Sequence, residues 1–442
     1  MGSQTTTKAR VQGQLPGPRS RELFDRWAKV EAQCTGYEAR VCWDRAQGVV
    51  VIDVDGNSFL DWTSGVLVTN VGHCHPHLVA AVQAACAKLM NNYECLNEPR
   101  VNAAEKLVAI LPQHLDKCFF LSTGSEVTEA CMRIMKRKTG KFEILSFHGG
   151  FHGRTYAALT AGGLAGPKKG YGPTLPGAIR VPFPYCYRCP FHAEPETCDL
   201  LCLDYIEDAV RANSTGSLAG VMVEAYLGAA GFIFAPPGWF PRLEQWIRSR
   251  GLLFALDEVQ SSFGRTGKLF AMEWENLTPD LVALGKGIGS GIPASAVAAR
   301  REVIGALGQG EMSSTNGGNP VACAAVVAVI EIMEREKLHD NALRIGELMK
   351  SRLLQIKEHC PYVGDVRGAG LVMGVELVKD KKTKEPAPDL TRQLIDVAAQ
   401  NGLLIGSVGV FGNVIRVAPP LVINEAEAHE SLDIFEKSLA SL

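Results

Sequence analysis

Between residues 117 and 300 the chain alternates short apolar runs with longer stretches of helical period, and a turn bearing Gly or Ser separates each run from the helix after it. The runs are Cys118–Leu121, Glu143–Phe147, Gly220–Val223, Leu252–Leu256 and Leu281–Leu284. Hydrophobic residues on consecutive positions, rather than on alternate ones, are what a strand needs when both faces are covered. The pattern predicts an α/β fold with a mostly parallel sheet flanked by helices. Ligands in such sheets gather at the carboxyl ends of the strands, so the segments after the runs carry the most information. They read Ser122-Thr-Gly-Ser, His148-Gly-Gly-Phe-His-Gly, Glu224-Ala, Asp257-Glu-Val-Gln and Gly285-Lys-Gly.

Past Asn319-Pro320 the pattern changes. Two helical stretches, Val321–Arg335 and Ala342–His359, precede apolar segments at Val363–Val366, Leu371–Val378 and Val414–Val422, with a further helix near Leu390–Asn401. This predicts a second, smaller α+β domain over 321–442, after a large domain over 71–320. In residues 1–70, Met1–Ser20 is rich in Thr, Gln, Gly and Pro and reads as a flexible arm. Asp55-Gly56 lies between β-rich runs in Gly48–Leu60, a hairpin signal, and this segment is expected to pack with the small domain.

Composition narrows the function classes. Of the 442 residues 46% are hydrophobic and 21% charged, the balance of a folded globular protein. Forty-five basic against 47 acidic residues, without a block of one sign, exclude a nucleic-acid partner. Glu224 and several glycines interrupt the most apolar stretch, Leu218–Pro237, so no membrane association is expected. Thirteen scattered cysteines fit a reducing compartment and free thiols, and residues 1–20 lack the apolar core of a signal peptide, so a cytoplasmic location is expected.

The chemistry starts at Lys286, which follows a predicted strand and is flanked by glycines that let a ligand approach the backbone. Alone it reads as a surface lysine. Asp257, at the end of the preceding predicted strand, changes that reading, because a carboxylate buried there needs a protonated partner. Pyridoxal phosphate supplies one in its ring nitrogen, and its enzymes pair such an acid with a Schiff-base lysine. A phosphate then needs a cradle. Leu121-Ser-Thr-Gly-Ser-Glu, where a predicted strand turns into a helix, offers free N–H groups and a positive dipole, although it equally reads as a well-capped helix with Thr123 and Glu126 at capping-box spacing.

On these residues the chain resembles the class III (ω-amino acid) aminotransferases of fold type I, 4-aminobutyrate aminotransferases among them. The resemblance covers nearly everything after residue 20. It is carried by Val71-Gly-His-Cys-His-Pro, Ser122-Thr-Gly-Ser-Glu, Phe151-His-Gly-Arg-Thr, Asp257-Glu-Val-Gln, Gly264-Arg-Thr-Gly, Leu284-Gly-Lys-Gly, Ser314-Thr-Asn-Gly-Gly-Asn-Pro and Gly364-Asp-Val-Arg-Gly-Ala-Gly. The resemblance implies pyridoxal 5'-phosphate as cofactor, with Lys286 as Schiff-base lysine and proton shuttle, Asp257 at the pyridinium nitrogen and Gln260 at the phenolic oxygen. It also implies that Thr123, Gly124 and Ser125 hold the phosphate and that Phe151 stacks on the ring beside His152. Thr315 would reach the phosphate of a neighbouring subunit, implying a homodimer or larger assembly with shared sites.

Substrate binding is assigned to Arg416, Val66 and Glu224. Arg416 matches the arginine that grips a carboxylate, a task suited to a guanidinium. Val66 stands where the similar dialkylglycine decarboxylases carry a glutamine; a valine donates no hydrogen bond, which argues against decarboxylation. Ala229 replaces the glutamate that neutralises the arginine in 4-aminobutyrate and ornithine aminotransferases, so Arg416 is expected to remain uncompensated. The implied reaction moves an amino group from a ω-amino acid or amine to a 2-oxo acid through a pyridoxamine intermediate. An amino-acid racemase or epimerase of the same family is the alternative. Cys186, Cys189, Cys198 and Cys202, with His192 between them, approach zinc spacing, but free thiols in a loop are the reading taken, and no metal is expected.

Overall fold

A computed structural model describes residues 7–36, 38–93 and 95–442. The chain divides into two units. The first contains the described residues through His75, the short segment Gly264–Gly267 and Leu338–Leu442; the second contains Pro76–Phe263 and Lys268–Lys337.

In the first unit the helix Pro18–Trp27 precedes an antiparallel meander of β1 (Trp43–Gln47), β2 (Val50–Asp53) and β3 (Ser58–Asp61). The hairpin turn forms where Asp55-Gly56 signalled it. Asp53 Oδ1 accepts from the N–H groups of Asp55 and Asn57, at 2.9 and 2.8 Å, and Gly56 takes the left-handed conformation, φ 86°, that the turn requires. The flexible-arm expectation for Met1–Ser20 lies outside the described residues in its first six positions and is corrected beyond them. Arg10 pairs with Ser58 through two backbone hydrogen bonds of 2.8 and 2.9 Å, and Ser20 is fully buried, donating to Asp55. The arm is held because it adds a bridge to the edge of β3.

The second unit is built on a seven-stranded sheet of β4 (Lys117–Leu121), β5 (Glu143–Phe147), β6 (Ala178–Val181), β7 (Leu218–Glu224), β8 (Leu253–Glu258), β9 (Leu281–Leu284) and β10 (Ser295–Ala299), in the order β4-β10-β9-β8-β7-β5-β6. β5 to β9 are mutually parallel. β10 runs antiparallel to both β9 and β4, which leaves β4 pointing the same way as the other five. All five apolar runs are strands. β6 and β10 carried weaker signals: β10 is Ser-Ala-Val-Ala-Ala, with little β-propensity of its own, yet the sheet buries every residue of it. The helix Gly124–Thr139 covers one face, packing Val127, Cys131, Ile134 and Met135 against Ala219, Met222, Ala255 and Ala283. Each of its large buried side chains contributes about 1.5–3 kcal/mol.

The helix Pro320–Glu336 packs on the helices Pro76–Lys88 and Glu98–Ile110, so it belongs to this unit. The sequence pattern set a boundary near 320, whereas the chain changes unit after Lys337, whose left-handed φ of 48° ends the helix. In the first unit β11 (Val363–Ala369), β12 (Val372–Leu377), β14 (Gly406–Val408) and β15 (Val414–Val417) form an antiparallel sheet ordered β11-β12-β15-β14. The two-residue β13 (Leu403–Leu404) pairs in parallel with β3 and joins the N-terminal meander to this part of the chain. Among the described residues no helix is long and apolar enough to cross a membrane.

Candidate active site

The carboxyl edge of the second unit's sheet collects the expected cofactor residues. Thr123 lies two positions beyond β4, Phe151 and His152 follow β5, Glu224 ends β7, Asp257 sits in the last positions of β8, and Lys286 follows β9. Because these five strand ends share one polarity, five separate turns deliver side chains to one place. Lys286 opens a 3₁₀ turn with a left-handed φ of 46°, a conformation costly for a residue with a Cβ and characteristic of functional sites. It is half-buried between two buried glycines.

Asp257 and its strand neighbour Glu224 stand side by side in register, both buried. Asp257 Oδ2 receives His152 Nδ1–H at 2.7 Å, and Oδ1 receives the Val259 N–H at 3.0 Å. Burial opposes a charged imidazole, yet the hydrogen bond and charge of Asp257, with the charge of Glu224 behind it, hold His152 above its ordinary pKa. Burial raises the Glu224 carboxyl, Asp257 adding to the effect and His152 opposing it. Glu224, expected on the substrate side, has both oxygens engaged by the chain itself: Oε1 accepts from Phe151 N–H at 2.7 Å and Oε2 from Gly228 N–H at 3.1 Å. It holds the loop that carries Phe151. Sequence reasoning missed this role, and it missed His152 as the partner that orients Asp257.

Thr123 caps the helix Gly124–Thr139: its Oγ1 accepts from Glu126 N–H at 3.2 Å, while Glu126 Oε2 accepts from Ser122 N–H at 2.7 Å. Ser125 Oγ accepts from Arg154 N–H at 3.0 Å. Thr128 Oγ1 lies 2.6 Å from the carbonyl oxygen of His152 and 3.0 Å from that of Ser125, so one hydroxyl bridges the helix start and the loop. The close approach of that loop requires Gly153, where a Cβ would collide with Ser125. Ser314 Oγ donates to Glu126 Oε1 at 2.6 Å, tying the loop that carries the exposed Thr315 to the same helix N-terminus. Gln260 carries a buried amide oxygen with no hydrogen-bond partner, and a Cβ at Gly228 would run into this amide.

These features fit pyridoxal phosphate. Asp257 is held in place for a protonated ring nitrogen, a helix N-terminus stands ready for the phosphate, and the orphaned Gln260 amide suits a ring oxygen once rotated to present its N–H. Among the described residues no group of three or more His, Cys, Asp or Glu is arranged to hold a metal ion, and all thirteen cysteines are free. Cys186, Cys189, Cys198 and Cys202 line a narrow pocket with Pro190, Phe191 and Leu201.

The substrate residues Arg416 and Val66 belong to the first unit. Arg416, on β15, has glycines beside it on both neighbouring strands, Gly374 and Gly406. The expectation that Arg416 is uncompensated is corrected: Glu38 Oε1 accepts from its Nη2 at 2.9 Å. Nothing in the pattern around Glu38 pointed to this pairing. Val66 lies in a left-handed turn, with φ values of 48°, 57°, 66° and 60° at Ser64, Gly65, Val66 and Leu67. Arg265, wholly buried, supports the turn by donating to Asn70 Oδ1 at 2.8 Å and to Ser64 Oγ at 3.4 Å, and Ser64 Oγ donates to the Ala418 carbonyl at 2.6 Å. The turn and the strand bearing Arg416 are thereby fastened together within one unit.

A lysine after one parallel strand, an oriented acid on the next and a capped helix start beside them define a pyridoxal-phosphate-dependent enzyme of fold type I. The chain belongs to the class-III aminotransferases, whose family model it matches over residues 33–439. It is 36% identical to the alanine/serine racemase of Pyrococcus horikoshii, over 96% of this chain and 91% of that protein. It is 36% identical to the 4-aminobutyrate aminotransferase of Mycobacterium leprae, over 96% of this chain and 97% of that one. The crystal structure of a Bacillus anthracis aminotransferase aligns with a TM-score of 0.89 at 29% identity, covering 96% of this chain and 99% of that one.

Proposed function

We propose that this enzyme moves an amino group from a ω-amino acid or amine of the 4-aminobutyrate kind to a 2-oxo acid, working in the cytoplasm as a homodimer or larger assembly with shared sites. The observation that carries the reading is the Asp257 carboxylate, buried on the strand next to that leading to Lys286 and oriented by His152 at 2.7 Å. The thirteen free cysteines support a reducing compartment.

Lys286 takes the proton from the substrate carbon and returns it at the neighbouring position, which requires its Nζ to be neutral when it acts as base. Bound pyridoxal phosphate supplies the electron sink for the pair left behind when that C–H bond breaks. Asp257 would face the ring nitrogen, with its two oxygens positioned by His152 and the Val259 N–H. Thr123, Gly124 and Ser125 would hold the phosphate from the helix start, and Thr315 would reach the phosphate of the neighbouring subunit. Phe151, fixed through its N–H by Glu224, would stack on the ring, and Gln260 would donate to the ring's phenolic oxygen. Arg416 binds a substrate carboxylate, and Val66 offers no donor to promote carboxylate loss.

Racemisation is the second reading, favoured by the similarity to the Pyrococcus horikoshii racemase. The cofactor-loaded enzyme, mixed with 4-aminobutyrate, β-alanine or alanine and no oxo acid, separates the two. Transamination releases one carbonyl product per active site and then stops until a 2-oxo acid is added. Loss of optical rotation from L-alanine without carbonyl release would replace this reading with racemisation, and release of carbon dioxide would replace it with decarboxylation.

A further inference from the structure

Arg416 is 5% exposed and so retains little water, yet its ion pair is thin. Only Nη2 reaches Glu38; Nε has no hydrogen-bond partner, and neither does Glu38 Oε2. Arg–carboxylate pairs are frequently bidentate, with two parallel N–H···O bonds, and this contact uses one. The guanidinium therefore keeps a donor edge that a second carboxylate would match better. The two partners also differ in how they are held. Arg416 is fixed on the central part of a four-stranded sheet, whereas Glu38 sits in a segment without helix or strand between the helix Pro18–Trp27 and β1, and its side chain is 32% exposed. Gly406 makes the room: a Cβ there would collide with the Glu38 carboxylate and lie 2.5 Å from Arg416 Nη2. Burial also pushes the Glu38 carboxyl above the usual glutamate range, although the Arg416 charge and the nearby Ser407 N–H pull the other way.

We propose that Glu38 is a displaceable counter-ion of Arg416: in place it neutralises the arginine for a donor with no carboxylate at that point, and the carboxylate of a 2-oxo acid or α-amino acid displaces it. This rests on the reading of Arg416 as the carboxylate-binding residue. Glu38 comes from the N-terminal segment of the chain and supplies the charge absent at Ala229. As a positioning residue it sets which of two substrate classes the arginine accepts.

The test uses the cofactor-loaded full chain and the variant Glu38→Gln, with a simple primary amine on one side and 2-oxoglutarate or pyruvate on the other. The expected result is a split. The kcat/KM for the amine falls by about tenfold or more, because a buried arginine is left unpaired, while the 2-oxo acid binds more tightly in calorimetry because no internal carboxylate competes. Equal losses for both classes, or no change in either, would overturn the proposal and leave Glu38 a structural residue. If Glu38→Gln does not fold or load cofactor, Glu38→Asp, which retracts the charge by one methylene, is read in the same way. Arg416→Gln distinguishes failure of the underlying reading: unchanged 2-oxo acid binding in that variant would remove the carboxylate role itself, whatever Glu38 does.

Discussion

His152 and Asp257 meet because two parallel strands of one sheet, β5 and β8 with β7 between them, deliver them to one edge, whereas Glu38 reaches Arg416 from a stretch whose described residues form no helix or strand. Both pairs are largely removed from water, and each joins a cation-forming group to a carboxylate. The first pair is closed: each Asp257 oxygen has a donor, and the His152 carbonyl is itself held by Thr128. The second is open, with an unused donor on Arg416 and an unused acceptor on Glu38. A buried charge pair built to persist satisfies both ends, and one left half-satisfied suits exchange.

The largest effect expected from breaking this contrast is at Asp257. Asp257→Asn keeps the shape and removes the charge, and kcat is expected to fall by about 10²–10³-fold in steady-state assays with any donor. His152→Ala leaves Asp257 without its closest partner, with an expected stability loss of about 3–5 kcal/mol in denaturant titration. His152→Gln, the milder change, is expected to lower kcat by about 10- to 100-fold while leaving the oxo acid KM near its original value. Its pH dependence has a definite sign. His152 is held above its unfolded pKa of about 6.5, so its contribution to stability is complete below that pH and fades as pH rises through the raised value. The Tm gap between the parent and His152→Gln should therefore be widest in mild acid and narrow toward alkaline pH. A gap independent of pH would show that the pair acts only by packing.

Arg416→Gln comes next, with an expected rise of about tenfold or more in oxo acid KM at nearly constant kcat for an uncharged amine. The smallest effect is at Val66. A β-branched residue at φ 66° is strained, so Val66→Asn, which tolerates left-handed backbone, is expected to stabilise the protein by about 0.5–1 kcal/mol, read as a small rise in Tm.

What the sequence made legible follows the same division. The buried strands announce themselves as continuous apolar runs, and polar residues just past their ends are then confined to one edge, so Lys286, Asp257 and Thr123 stand out as candidates from pattern and position. β10 hid because alanines in a central strand carry no signature until neighbours cover them. The resemblance implied a place for His152 beside the ring, but its hydrogen bond to Asp257 spans 105 residues and leaves no local trace. Glu38 is further still from its partner, 378 positions along the chain, and contacts of that kind depend on the packing of irregular segments. The boundary between units shifted from 320 to Lys337 because helix period shows which face of Pro320–Glu336 is apolar, but not which helices cover it.

The bridging hydroxyl of Thr128 has a metrical consequence. The helix start suited to the phosphate and the loop suited to the far side of the ring are gauged against one atom, 3.0 Å from one carbonyl and 2.6 Å from the other. The protein thus carries a ruler with two jaws and one screw, whose opening cannot drift at one end without moving the other. Moving either the helix start or the loop that carries His152 therefore strains the same hydroxyl.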